Sequence, residues 1–299
     1  MRATLLAMRL AGKELGDTNK FVKSVRSRTS IQAAPPTKAL QKLCRIDTHV
    51  VDGHSVVVAR PRIRSTRLHI LYMPGGAFVS PAIWAHWGIV EQLVRATGAT
   101  VTVANYPLAP EHDHRAAYAF LMKVYQDALK TSEPQHIVLC GDSAGGGAAL
   151  SLATQIRDLG LPQPSRLILF APWLDLTLAD PLMEQIEPKD PDLCIKTLRI
   201  CGNWWAGEDN PCSPYLSPLY GDASNLPPMD IFVGDLDLLV VDCRTYAQRV
   251  RDAGGALNYT EVPGAFHVYV GATWTPEAKS AYRSIASRFA RPMHKADFI

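Results

Sequence analysis

The sequence predicts an α/β fold, a mostly parallel eight-stranded sheet flanked by helices with a helical cap. Three observations carry this reading. From residue 46 onward, short β-rich runs alternate with longer stretches of helical apolar spacing, the pattern of strands joined by helical crossovers. Two segments, 1–45 and 180–220, break that alternation where a lobe can be added without disturbing a sheet. At 299 residues the chain can bury one large core and still carry such additions.

The expected elements follow in order. Strands at Ile46–Val51 and Ser55–Ala59 are separated by Asp52-Gly53, a hairpin turn signal. Further strands are expected at Leu68–Met73, Thr100–Asn105, His136–Cys140, Arg166–Phe170, Asp230–Val233 and Leu257–Val262. Helical patterns fill the gaps at Trp84–Thr97, Ala116–Lys130, Ala144–Leu159, Val241–Ala253 and Pro276–Phe289. The core thus falls into two parts, 46–179 and 221–299. Residues 1–45 and the insertion 180–220 are read as the cap. Within the insertion, Cys194, Leu198, Cys201 and Trp205 share one helical stripe, with Asp192 as the expected N-cap.

Composition excludes several classes. Hydrophobic residues make up 47% and charged residues 20%, so a disordered chain is not indicated. No stretch approaches the roughly 20 apolar residues needed to cross a bilayer, and stable membrane insertion is not expected. Arg9 interrupts the apolar run after Met1 and no small-residue cleavage site follows, so a cytoplasmic protein is expected. The six cysteines form no C-x-x-C pair, which argues against a zinc site and a disulfide framework. Residues 1–45 hold ten Lys/Arg and two acids, a net of +8 within a total of +3. These charges are spread through helical spacing and read as a solvated face; with no recognition motif beside them, no nucleic-acid partner is expected. A homodimer stays open.

The strongest local signal is Gly141-Asp142-Ser143-Ala144-Gly145, a G-x-S-x-G pattern directly after an apolar strand and before a small-residue helix. That context turns the pattern into a nucleophile elbow, with Ser143 at a helix N-terminus above the carboxyl edge of the sheet. A serine hydroxyl needs a general base, and the base needs an acid to orient it. His267, in the turn Pro263-Gly-Ala-Phe-His267 after the last strand, is the expected base. Asp237, in Gly234-Asp235-Leu236-Asp237-Leu238-Leu239, is the preferred acid, with Asp235 and Asp242 as alternatives that could instead cap the next helix. Pro74-Gly75-Gly76-Ala77-Phe78 is a Gly-rich turn after a strand. Its Gly76 and Ala77 N–H groups, with that of Ala144, are the expected oxyanion donors.

Together these motifs resemble the hormone-sensitive-lipase group of α/β-hydrolases, also called the bacterial esterase/lipase family, over roughly residues 45–290. The resemblance rests on the elbow Gly141–Gly146, on Tyr106-Pro-Leu-Ala-Pro-Glu-His112, on Gly234-x-x-Asp237-x-Leu239 and on Pro263-Gly-x-x-His267. It implies the α/β-hydrolase fold, a cap built from the N-terminus and the 180–220 insertion, and a serine carboxylesterase acting on a small-molecule ester of short to medium acyl chain. No metal or organic cofactor is required for that chemistry. One departure stands out: Pro74 and Ala77 occupy the first and last places of the family's His-Gly-Gly-Gly motif. Ala77 serves as a donor if its φ is negative, whereas Pro74 removes an N–H and a histidine's side-chain bonds from the loop.

Phe78, Trp84, Trp87, Asp142 and Trp205 are the candidate substrate-binding residues, with Trp204 as a further cleft aromatic. Glu111-His112-Asp113-His114 has metal-ligand chemistry, but Glu111 and His112 belong to the motif above and are expected to brace the oxyanion loop. Two alternatives remain: an amidase or lactonase with the same triad, or a non-catalytic small-ligand receptor. Retention of His267 argues against the second.

Overall fold

The computed structural model describes residues 1–11 and 16–289. Residues 12–15 of the basic segment and 290–299 of the second core part lie outside the described residues. The eight expected strands form one sheet: β1 (Cys44–Val51), β2 (His54–Pro61), β3 (His69–Met73), β4 (Thr100–Ala104), β5 (Ile137–Asp142), β6 (Arg166–Phe170), β7 (Met229–Gly234) and β8 (Leu257–Val262). Their order is β1-β2-β4-β3-β5-β6-β7-β8. Only β2 runs against its neighbours, pairing antiparallel with β1 across the Asp52-Gly53 turn and with β4. The remaining pairs are parallel, as strands joined by helices must be.

The helices are α1 (Arg2–Ala11), α2 (Thr18–Ser27), α3 (Lys38–Leu43), α4 (Trp84–Thr97), α5 (His114–Leu129), α6 (Ser143–Asp158), α7 (Met183–Ile186), α8 (Ile195–Ala206), α9 (Val240–Asp252) and α10 (Pro276–Phe289). Strand residues two apart face the same layer. Leu71, Met73, Ile137 and Leu139 pack with α5, α6 and α9, while Ile70, Tyr72, Val138 and Cys140 pack with α3, α4 and α10. Both faces of the central strands are therefore dry. This explains why they read as continuous apolar runs in sequence. No described helix is long and apolar enough to cross a membrane.

The parts outside the sheet meet each other. Thr18 at the start of α2 is hydrogen-bonded to Thr197 of α8 through their hydroxyls, 2.7 Å apart and buried. The Arg26 guanidinium lies 5.5 Å from the centre of the Trp204 ring. By contrast α3 packs on β1 and α4, with Leu40 fully buried in the layer beneath the sheet. The insertion's main helix starts later than its sequence suggests. Cys194, not Asp192, takes the N-cap position, and the Ile195 N–H is satisfied by Glu187 Oε1 at 2.8 Å. A carboxylate from the preceding turn thus does what a capping aspartate would have done.

Candidate active site

Ser143 ends the strand-to-helix turn between β5 and α6 with φ at +54°, a left-handed value that costs a non-glycine residue about 1–3 kcal/mol. The turn holds because the backbone around it is packed tightly. A Cβ on Gly145 would sit 2.0 Å from the Met73 carbonyl oxygen, so only glycine lets α6 approach β3 this closely. Ser143 Oγ then lies 2.9 Å from His267 Nε2, and His267 Nδ1 lies 2.8 Å from Asp237 Oδ2. Three residues from three separate loops form one continuous hydrogen-bonded chain, all of it buried, with Ser143 and His267 at the wall of a cleft.

The other two acids have different work. Asp235 Oδ1 accepts the Gly264 N–H at 2.6 Å and so fastens the histidine loop to the acid turn. Asp242 is buried in α9, where desolvation, with Asp175 and Asp180 nearby, pushes its carboxyl up to about 8. Asp237 itself has its second oxygen, Oδ1, taken by the Leu239 N–H at 2.9 Å, which fixes the carboxylate's orientation. Burial alone would lower the pKa of His267. The charge and hydrogen bond of Asp237, joined by the charges of Asp190 and Asp192, outweigh burial and push the imidazole up to about 9.

The Gly-rich turn after β3 curls back on itself, since the N–H groups of Val79 and Ser80 both bond the Gly76 carbonyl, at 3.0 and 2.8 Å. That curl puts Gly76 at φ +123°, Ala77 at +53° and Phe78 at +63°. The negative φ on which a donor role for Ala77 was conditional is therefore not found. The final glycine of the related motif is replaced here by a residue held in a left-handed conformation, again at a cost of about 1–3 kcal/mol. Gly76 and Ala77 border the same cleft as Ser143 and His267. Ala144 lies in the first turn of α6, whose leading N–H groups have no acceptor within the helix.

Two devices hold this loop where Pro74 supplies no side-chain bonds. The Tyr106 hydroxyl donates to the Pro74 carbonyl at 2.7 Å, and the Gly75 N–H donates to Asp142 Oδ1 at 3.1 Å. Asp142 also accepts from the Tyr72 hydroxyl and lies 3.4 Å from His86 Nε2. Burial opposes its charge, but His86, Tyr72 and the Gly75 N–H together hold its carboxyl below the ordinary aspartate value. Asp142, expected to bind substrate, thus borders the cleft with its carboxylate committed to the loop. Glu111 acts at one remove. It pairs with Arg28, whose guanidinium also donates to the carbonyls of Val79 and Ala109. His112 packs edge-on against His54, Asp113 caps α5, and His114 Nε2 lies 3.1 Å from Asp209.

The cleft has a volume of about 390 Å³, in the range of small-molecule sites. Met8 of α1, Phe21 of α2, and Leu193 and Leu198 of the insertion reach its wall, as do Ser143 and His267. Of the expected aromatics, Trp84 borders the cleft and stays 65% exposed. Three others are withdrawn into packing. Trp87 is buried on the opposite helical layer and donates to the Ala34 carbonyl at 2.8 Å. Phe78 and Trp205 stack on each other with ring centroids 4.0 Å apart, inside a cluster with Trp173, Tyr106 and Tyr118. Large rings gain more from complete burial than from lining a wet cleft, so helical spacing alone put them in the wrong place. Trp204 lies in the 180–220 insertion, beneath Arg26. The sequence reading missed Phe266 and Trp274, which line the cleft, and Asp190, which is buried against the acid turn. Phe266 stood in the quoted histidine motif, but no sequence pattern marked the other two.

Comparison with known proteins agrees with this fold. Residues 70–271 match a family model described as alpha/beta hydrolase fold. An esterase of Acinetobacter venetianus is 31% identical over 277 residues, covering 88% of this chain and 91% of its own length. An acetyl-hydrolase of Streptomyces hygroscopicus is 30% identical over 201 residues, 67% of each chain. Among solved structures, an esterase from the bacterial hormone-sensitive lipase family superposes with a TM-score of 0.78 at 25% identity, covering 91% of this chain and 96% of the other. With a family model spanning residues 70–271 and a relative 31% identical over 88% of the chain, the chain belongs to the α/β-hydrolase family, in its hormone-sensitive-lipase group of carboxylic ester hydrolases.

Proposed function

We propose that this protein hydrolyses esters of short to medium acyl chain through an acyl-enzyme on Ser143. The observation that carries the reading is the unbroken Ser143–His267–Asp237 chain, with contacts of 2.9 and 2.8 Å, at the floor of a small apolar-walled cleft. Ser143 Oγ attacks the ester carbonyl carbon while His267 Nε2 takes its proton. The N–H groups of Gly76 and Ala144 receive the charge that develops on the carbonyl oxygen, the condition set for Ala77 not being met. The alcohol leaves with the proton held by His267. Water then enters by the same route, its proton passing to His267, and the acid is released as Ser143 recovers its hydrogen. Asp237 keeps Nδ1 protonated and stabilises the imidazolium of each step.

The cleft limits the acyl group by size and selects it by apolar contact, and the acetyl-hydrolase relative supports the short end of the range. On p-nitrophenyl esters, each added methylene that finds wall surface is expected to contribute about 0.8 kcal/mol, close to a fourfold gain in kcat/KM. The gain should run over the first few carbons and collapse for long chains, without interfacial activation. Matched anilides and lactones assayed beside the esters separate an amidase or a lactonase from an esterase. A preference for long-chain emulsions would contradict the reading. Tight binding of a small acid with no turnover of any substrate would replace it with the receptor alternative.

A further inference from the structure

We propose that Asp190 is a positioning residue of this site, a second buried carboxylate that ties the cap insertion to the turn carrying Asp237 and adds negative charge behind the His267 imidazole. This rests on the triad reading above.

Asp190 follows the short helix α7 in the insertion and is 1% exposed. Its two oxygens face different parts of the molecule. Oδ1 accepts the N–H groups of Asp192 and Leu193, at 2.8 and 2.9 Å, and both of those residues line the cleft. Oδ2 accepts the N–H of Leu238 at 2.7 Å, the residue next to Asp237. The neighbouring N–H, that of Leu239, goes to Asp237 Oδ1. Two carboxylates from separate parts of the chain therefore hold successive N–H groups of one turn, one of them reaching on to His267.

A buried charge of this kind is costly unless it is well bonded, and three backbone donors meet that need. Desolvation and the charge of Asp237 raise its pKa against the pull of His267 and the backbone donors, and since all three of its backbone partners are N–H donors, the ionised carboxylate is the form they satisfy. The charged groups acting on the imidazole are Asp237 from the acid turn and Asp190 and Asp192 from the insertion. A neutral hydrogen-bonding residue at position 190 could brace the turn, but it could not add to the proton affinity of His267. That difference makes the positioning role testable apart from a structural one.

The test is Asp190→Asn, with Asp190→Glu as the charge-retaining comparison and thermal melts as the check on folding. Expected for Asp190→Asn is a fall in kcat/KM on the order of ten- to a hundredfold. The ascending limb of its pH profile should move to lower pH by on the order of half a unit or more, because the imidazole loses a neighbouring charge. Asp190→Glu should keep the limb near its wild-type position. Lower activity or a lower Tm with an unmoved limb would overturn the proposal and leave Asp190 a brace. If Asp190→Asn does not fold, Asp190→Ser carries the same comparison, and failure of both to fold likewise overturns it. Ser143→Ala in the same series separates the two levels. Retained turnover there defeats the triad reading itself, whereas a dead Ser143→Ala beside an unmoved Asp190→Asn limb defeats this inference alone.

Discussion

Replacing Ser143 by alanine is expected to lower kcat by about four to six orders of magnitude while the protein stays folded. Among the described residues the hydroxyl makes one hydrogen bond, with His267 Nε2, and that bond belongs to the reaction. Alanine keeps the Cβ and meets the same backbone cost at φ +54°, so the turn between β5 and α6 has no reason to change. Some activity above the uncatalysed rate should survive, since the cleft and the oxyanion donors remain. Turnover of a p-nitrophenyl ester, with circular dichroism and Tm as controls, checks this. A mutant that keeps near-normal turnover would remove Ser143 from the mechanism.

Asp237→Asn should cost about four orders of magnitude in kcat, for a reason visible in the hydrogen bonds. Asp237 Oδ1 accepts the Leu239 N–H and Oδ2 accepts from His267 Nδ1. An asparagine that keeps its carbonyl on Leu239 turns its NH2 toward Nδ1. The ring must then present Nδ1 as an acceptor and Nε2–H to Ser143, the tautomer that cannot take the serine proton. The pH dependence carries a second sign. His267 is pushed up to about 9 partly by Asp237, and the base is the neutral imidazole, so wild-type kcat/KM should rise with pH toward that value. Loss of the Asp237 charge lowers the proton affinity, and the residual activity should have its limb at lower pH. Asp242→Asn is the comparison. Its carboxyl, pushed up to about 8, is mostly protonated at neutral pH, and an amide imitates a neutral acid, so activity should change only a few-fold. The opposite order of effects would reassign the acid.

Much of this site could be read from residue order, because its chemistry is carried by local patterns. The elbow, the acid turn and the histidine turn each follow a strand, and a parallel sheet brings the carboxyl ends of its strands to one edge. The bounds of Arg166–Phe170, Leu257–Val262, Trp84–Thr97 and Pro276–Phe289 needed no correction, since turn residues or a change of periodicity mark each of them. Side-chain destinations were less legible. Trp84 and Trp87 are one helical turn apart on α4, yet the first borders the cleft and the second is sealed in the layer below the sheet. Helical spacing says that a stripe is apolar; it does not say whether a core or a substrate meets it. Ala77 misled for a related reason. The curl closed by Val79 and Ser80 onto Gly76 overrides the preference of an alanine for negative φ. Asp190 gave no signal of its tie to the acid turn, because Leu238, whose N–H it accepts, lies almost fifty residues away along the chain and meets it only once the insertion folds over the turn.

The acyl-enzyme on Ser143 is tested most directly by trapping it. Diethyl p-nitrophenyl phosphate should transfer its diethylphosphoryl group to the reactive hydroxyl, releasing p-nitrophenolate and leaving an adduct that water clears slowly. The account predicts about one equivalent of p-nitrophenolate per chain. Activity should fall in step with labelling, the added mass should map to the peptide containing Ser143, and Ser143→Ala should take up no label. Full esterase activity after complete labelling of Ser143, or inactivation that follows a label on another residue, would contradict it.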